Sequence, residues 1–185
     1  MNVIHSLLII IVILIAIISQ IYLNRNKYKK MALTDALTGV PNRYALKEYL
    51  RTSADKTETV YFIDLDHFKS INDQYGHHYG DYVLKIIAAR LALIQSIQIY
   101  RVGGDEFIII SNLPDKQVRQ TLTFKLLESI KQPIYLNNNS LKVTATIGIS
   151  EGHALKEDII KEADQALLLA KKHAKGTTFC YSNNR

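Results

Sequence analysis

An α+β sandwich, with helices covering a mainly antiparallel sheet and one membrane-crossing helix ahead of it, is the architecture this 185-residue sequence predicts. Three features predict it. Short runs rich in β-branched and aromatic residues (TVYFIDLD, IQIYRV, EFIIIS, TATIGIS) alternate with amphipathic helical stretches. Turn signals separate neighbouring strand-like runs at Gly103-Gly104 and at Asn137-Asn138-Asn139, as hairpins require. Val3 to Leu23 contains no Lys, Arg, Asp or Glu. Two units are expected: residues 1–34 as the membrane helix with a short basic stalk, and residues 35–185 as one domain with its own core.

The twenty-one residues from Val3 to Leu23 span about 31 Å as a helix, close to the hydrocarbon thickness of a bilayer. A cleaved signal peptide is disfavoured, because no basic residue precedes the apolar run and no small-residue cleavage pattern follows it. Arg25, Lys27, Lys29 and Lys30 crowd the C-terminal side. The positive-inside bias therefore puts a tail of a few residues outside and the domain in the cytoplasm. Nothing before Gly39 breaks the helix, so it is expected to run through MALTDALTG to a turn at Gly39-Val40-Pro41-Asn42.

RYALKEYLRTSA reads as the next helix, with Tyr44, Leu46 and Leu50 available for packing. TVYFIDLD is a strand that ends in acids, HFKSIND a short helix, and QYGHHYGD a glycine-bounded loop. YVLKIIAARLALI is an amphipathic helix with Val83, Ile87, Leu91 and Ile94 on one face. IQIYRV and EFIIIS form a hairpin, and DKQVRQTLTFKLLESI is helical from just after Pro114. PIYL pairs with LKVTATIGIS across the asparagine turn, LKEDIIKEADQALLLAKKHAK is a long helix, and TTFCYS a last short strand.

The formal charge of +6 is unevenly placed: four of the 23 basic residues flank the apolar run, leaving 19 against 17 acids, a net +2. The excess marks a juxtamembrane anchor near anionic lipid. No basic-aromatic stripe points to nucleic acid. Cys180, the one cysteine, excludes an internal disulfide and reads as a small buried hydrophobe in a reducing compartment. No Cys/His cluster offers a zinc site, and His77 and His78 read as structural or surface residues.

Asp64 follows four apolar residues at the point where a buried strand emerges, and Asp105 starts the strand after the glycine turn. If those strands are neighbours, the two carboxylates face each other at one sheet edge and repel unless a cation lies between them. Oxygen-only ligation of this kind suits Mg²⁺. Gly103 and Gly104 permit positive φ and a close approach of backbone to ligand. Asp66 is expected to cap the helix that follows it. Glu106, one residue along a strand from Asp105, is expected to point away from it.

RVGGDEF, preceded by FIDLDHFKSINDQYGHHYGD and DALTGVPNR and followed by TIGIS and ADQALLLAKKHAK, resembles the GGDEF domain of bacterial diguanylate cyclases over residues 35 to about 180. The resemblance implies a nucleotidyl-cyclase, ferredoxin-like palm fold. It also implies the joining of two GTP into cyclic di-GMP with release of two pyrophosphates, which with the apolar helix places the expected enzyme at a bacterial inner membrane. By that likeness Asp64, the Leu65 carbonyl and Asp105 would hold Mg²⁺ on the β- and γ-phosphates. Leu37, Gly103 and Gly104 would line the nucleotide site, and Asn72 and Asp81 would read guanine. A carboxylate at Asp81 satisfies the N1–H and N2–H₂ donors of guanine and would face an acceptor on adenine. Lys69, Lys171 and Lys175 would hold phosphate, the last two, four apart, on one helical face. By the same likeness the base would be Glu106 or a metal-held hydroxide. Each domain would hold one GTP, so a two-fold homodimer is required.

Three departures from the family pattern stand out. The R-x-x-D product-inhibition motif is replaced by Ile94-Gln95-Ser96-Ile97, so no feedback through that site is expected. The segment before the glycine turn is about two residues short. Ala174-Lys175-Gly176 stands where the family closes with G-R-N, so weaker phosphate binding is expected. The alternative to catalysis is a GGDEF-fold module that binds GTP or a partner without turnover.

Overall fold

The computed structural model describes residues 3–52, 58–112, 115–136, 139–152 and 156–181. The long apolar helix α1 (Val3–Ala32) is followed by α2 (Arg43–Thr52), β1 (Glu58–Leu65), α3 (Phe68–Tyr75), α4 (His77–Ala92), β2 (Ile97–Arg101) and β3 (Glu106–Ser111). The second half contains α5 (Lys116–Lys131), β4 (Ile134–Leu136), β5 (Asn139–Leu141), β6 (Ala145–Gly152), α6 (Lys156–His173) and β7 (Thr178–Cys180). From Leu7 to Ala32, α1 is long and apolar enough to cross a membrane, and its apolar side chains are exposed.

The main sheet has the order β2-β3-β1-β6-β7. Its first three pairs are antiparallel and the β6–β7 pair is parallel, so the sheet is mixed. The parallel edge has a simple cause: β7 returns after the α6 crossover, and a strand reached through a helix pairs parallel with the one before it. Helices cover both faces. Tyr61, Ile63 and Leu65 of β1 pack with Phe68, Val83, Ile87, Leu91 and Leu126 of the α3–α5 layer. Val60 and Phe62, their alternates, pack with Leu46 of α2 and Ile159, Ala163 and Leu167 of α6. Burial on both sides is why β1 and β3 are apolar at successive positions and do not alternate with polar ones. At Gly148 of β6 a Cβ would overlap the Ala163 carbonyl and the Leu167 backbone, so glycine lets α6 lie directly on the sheet.

Several expectations are corrected. α1 stops at Ala32, well before Gly39. Asp35 closes its own turn instead, accepting from the Thr38 N–H (2.9 Å) and hydroxyl (2.6 Å). Asn42 ties the two helices together: its amide donates to the Ala32 carbonyl (2.8 Å), and its Oδ1 caps α2 by accepting from the N–H groups of Tyr44 and Ala45. Tyr44 is exposed, not packed. QYGHHYGD is not a loop, since α3 runs to Tyr75 and α4 starts at His77, with Gly76 at φ 86° making the corner. PIYL pairs only with Asn139–Leu141 in a separate two-stranded ribbon, and β6 joins β1. Asn137, Asn138, Pro114, Ser53 and Ala54 lie outside the described residues. Cys180 is exposed, because β7 is an edge strand.

Candidate active site

The β1–β3 register sets Asp64 directly opposite Glu106, and the Leu65 N–H donates to the Asp105 carbonyl (3.2 Å). The three acids therefore share one end of the sheet. Burial, followed by the charge of Asp64, pushes the Asp105 carboxyl above the usual carboxylate range, against the pull of Lys171 and Arg101. Glu106 is raised for the same reasons, burial first, then the charges of Asp64 and Asp105. Glu106, opposite Asp64 in the register, is close enough to both acids to feel their charges.

The glycine turn is shaped by this crowding. Neither Gly103 nor Gly104 adopts positive φ. A Cβ at Gly103 would overlap the Glu106 carboxylate, so glycine there makes room for the acid. Nothing lies within 4 Å of the Cβ position at Gly104, which is exposed. Backbone is accessible at that residue.

Two cations hold the arrangement. Lys171, in the last turn of α6, places Nζ 2.7 Å from Asp64 Oδ2. Arg101, at the end of β2, pairs with Asp35 Oδ1 (2.8 Å) and donates its second nitrogen to the Gly104 carbonyl (2.7 Å). Its own N–H bonds the Pro41 carbonyl (2.9 Å). The glycine turn is thus fastened to the segment that leaves α1. Burial alone would raise the Asp35 carboxyl, but hydrogen bonds from Thr38 and Arg101 outweigh it and hold the group below its ordinary value. Sequence reading missed Arg101; the available signal was a strand-end arginine two residues before the glycines, with an aspartate opening DALTG to receive it.

Asp66 is not a helix cap. The α3 N-cap is His67, in the left-handed region and without a side-chain cap. Asp66 is buried and accepts from the Thr144 and Thr146 hydroxyls, each at 2.7 Å. Thr146 Oγ1 in turn accepts from the Gly176 N–H (3.2 Å), which positions the turn carrying Lys175. Because α6 ends at His173, Lys171 and Lys175 do not share a helical face: Lys175 sits on that turn, exposed. Lys69 is exposed on α3. Leu37 packs against the α3–α5 core.

A second group forms where α3 meets α4. Asn72 lies on α3 and Asp81 just after Gly80 in the first turns of α4. A Cβ at Gly80 would overlap the Asn72 side-chain oxygen, so glycine brings the two helices together there. His77 and His78 are exposed, as expected. Ile94 and Ile97 are half-buried against the core.

The acids at β1 and β3 offer only oxygen donors, the kind a hard divalent cation takes. Among the described residues no three Asp, Glu, His or Cys side chains form a metal cage. Mg²⁺ needs only one or two carboxylates and takes its other oxygens from phosphate and water, so the oxygen donors of these acids suit it. A cation is already drawn to the spot in the form of the Lys171 ammonium.

Residues 32–177 match the family described as diguanylate cyclase, GGDEF domain. The chain is 38% identical over 155 residues to the diguanylate cyclase DgcP of Pseudomonas aeruginosa, covering 78% of this chain and 23% of DgcP. It is 34% identical over 168 residues to the cyclic di-GMP phosphodiesterase NbdA of the same species, covering 84% of this chain and 21% of NbdA. It thus spans less than a quarter of either relative. The solved GGDEF domain of TpbB (YfiN) from P. aeruginosa is 32% identical, with a TM-score of 0.71, covering 80% of this chain and 94% of that one. The coiled coil and GGDEF domain of DgcB from Caulobacter crescentus, in complex with c-di-GMP, shares the fold at a TM-score of 0.84 and 23% identity, covering 95% and 99%. From the motifs, the fold and these likenesses together, the chain belongs to the GGDEF domain family of diguanylate cyclases.

Proposed function

We propose that this chain is a membrane-anchored diguanylate cyclase that works as a homodimer and condenses two GTP into cyclic di-GMP and two pyrophosphates. The observation that carries the reading is the meeting of Asp64, Asp105, Glu106 and Lys171 at one sheet end, beneath a turn whose backbone is open at Gly104. Asp64, Asp105 and the Leu65 carbonyl would hold Mg²⁺, and the ion would supply charge neutralisation on the phosphates. Lys171, Lys175 and Lys69 balance the rest of the triphosphate. Gly103, Gly104 and Leu37 line its path.

Asn72 and Asp81, where α3 meets α4, read guanine. Adenine would leave the Asp81 carboxylate facing an acceptor, an unpaired polar contact of about 1–3 kcal/mol, so GTP is preferred over ATP. A ribose 3′-hydroxyl attacks the α-phosphorus of the other GTP. The new P–O bond forms as the bond to pyrophosphate breaks, and the hydroxyl proton passes to Glu106, whose raised proton affinity suits a base. Two such steps close the ring. Each domain holds one nucleotide, so two copies face each other about a two-fold axis. α1 anchors the dimer with its basic flank on the cytoplasmic side.

The test is incubation of the full chain, reconstituted in bilayers, with GTP and Mg²⁺, and chromatography for cyclic di-GMP. Product from the wild type, and about a hundredfold less or lower from Asp105→Ala, is the expected result. A blank from a wild-type sample shown to be dimeric would favour a non-catalytic GTP-binding or interaction module.

A further inference from the structure

We infer that the groove between the end of α1 and the outer face of α2 is a binding site for anionic phospholipid headgroups; this rests on the reading of α1 as membrane-embedded. The groove has a volume of about 640 Å³, and Ala32 and Leu33 are among its lining residues. Its walls bring Lys29 of α1 together with Tyr44, Lys47, Glu48 and Arg51 of α2. Positions 44, 47, 48 and 51 repeat at helical spacing and so form one face. Three cations meet one anion there, a net +2. Arg51 contacts Glu48 at 3.4 Å, yet the two side chains remain 78% and 52% exposed. A pair so solvated is weak, and Arg51 exchanges it readily for a phosphate that its planar fork can grip at two oxygens.

Depth identifies the occupant. Leu23 ends the uncharged stretch, and Lys29 lies six residues further on. That is about 9 Å along the helix axis, at the outer margin of a headgroup layer about 5–8 Å thick. Helical side chains lean toward the helix N-terminus, which for α1 is the membrane. The Lys29 ammonium therefore reaches back among headgroups at the membrane-facing mouth of the groove, and the part lined by Ala32 and Leu33 lies farther out. Tyr44, 68% exposed, presents there the kind of amphipathic ring favoured at a membrane interface. With lipid in the groove, α2 rests on the bilayer. Because Asn42 and Arg101 fasten the start of α2 to the glycine turn, the lipid also fixes how the catalytic end is held relative to the membrane.

The full chain is reconstituted in nanodiscs of phosphatidylcholine, with or without phosphatidylglycerol, and lysine acetylation rates are read by mass spectrometry. Lys47 is expected to react about fivefold more slowly with the anionic lipid, the factor matching the ~1 kcal/mol that one basic side chain gains at such a surface. Lys85, on α4 across the sheet, serves as the unaffected reference, and Arg51→Glu should remove the protection of Lys47. Equal Lys47 rates in the two discs, with the chain resistant to carbonate extraction, overturn the headgroup site and leave the membrane reading intact. Equal protection by inorganic phosphate in phosphatidylcholine discs makes the groove a site for soluble anions and also overturns it. A chain that carbonate strips from the discs overturns the membrane reading itself, and the lipid site with it.

Discussion

The two ends of the candidate site are held by different physics. At the hairpin end charge does the positioning: Arg101 joins Asp35 to the Gly104 carbonyl, Lys171 meets Asp64, and three carboxylates crowd one sheet edge. At the helix end shape does it. Gly80 leaves room for the Asn72 amide, and Gly76 turns the corner between α3 and α4 in one residue. Substitutions at the first end should therefore respond to pH and to added cation. Those at the second should alter nucleotide affinity and ignore both.

The largest effect is expected at Asp105. Replacing it with Ala should lower cyclic di-GMP formation by about a hundredfold or more and leave the circular dichroism spectrum unchanged. The same variant tests the charge argument. Because the folded protein raises the Asp105 pKa, ionisation of that group costs stability once pH climbs through the raised value, and costs nothing below the ordinary 3.8. In chelator, Asp105→Ala should melt higher than wild type at pH 7, with the gain shrinking as pH falls toward 4. Added Mg²⁺ should narrow the gap by stabilising only the wild type. A variant that melts lower throughout would contradict the crowding of acids.

Gly80→Ala comes next. Its methyl group displaces the Asn72 side chain, so KM for GTP should rise about tenfold with a smaller change in kcat. Steady-state kinetics at several Mg²⁺ concentrations check this, and a strong metal dependence of the defect would blur the contrast between the two ends.

Asp35→Asn is a smaller perturbation, acting on stability. Losing the charge on a half-buried, hydrogen-bonded partner of Arg101 should cost about 1–3 kcal/mol at pH 7. The Asp35 pKa is lowered by folding, so its contribution is complete above 3.8 and disappears as pH drops through the folded value. Melts of wild type and variant should converge below that pH. The smallest expected effect is none at all: cyclic di-GMP added to the enzyme should leave the rate unchanged through the corner at Ile94–Ile97, where apolar side chains pack inward and no guanidinium stands. Strong noncompetitive inhibition would show a product site of another kind.

Much of this was legible in the chain. Strand β1 announces itself as an apolar run that closes on an acid, β3 as an apolar run that opens on one, and Val83, Ile87 and Leu91 mark the buried side of α4. Asp64, Asp105 and the glycines were readable because strand ends are where carboxylates gather for a purpose. What escaped reading depends on distant partners. Asp66 looks locally like a cap, and only Thr144 and Thr146, brought alongside by β6, make it a buried acceptor. The start of α4 hides because GHHYGD offers glycines and no side-chain cap, so it mimics a loop. The parallel β7 carries no local sign of its direction, which follows from the α6 crossover. Glu106 and Lys171 were named as site residues from the resemblance, and what the sequence left out was the direct Lys171–Asp64 ion pair and the Asp64–Glu106 register that bring them together.

The central claim is that Asp64 and Asp105 share a divalent ion with a guanine nucleotide. A crystal structure of the dimer with Mn²⁺ and a non-hydrolysable GTP analogue, phased on the anomalous signal of the metal, measures it directly. The expected result is an ion in ligation contact with oxygens of both carboxylates and the Leu65 carbonyl, with Lys171 moved from Asp64 onto phosphate. A nucleotide bound with the Lys171–Asp64 contact intact and no ion between the two acids would contradict it.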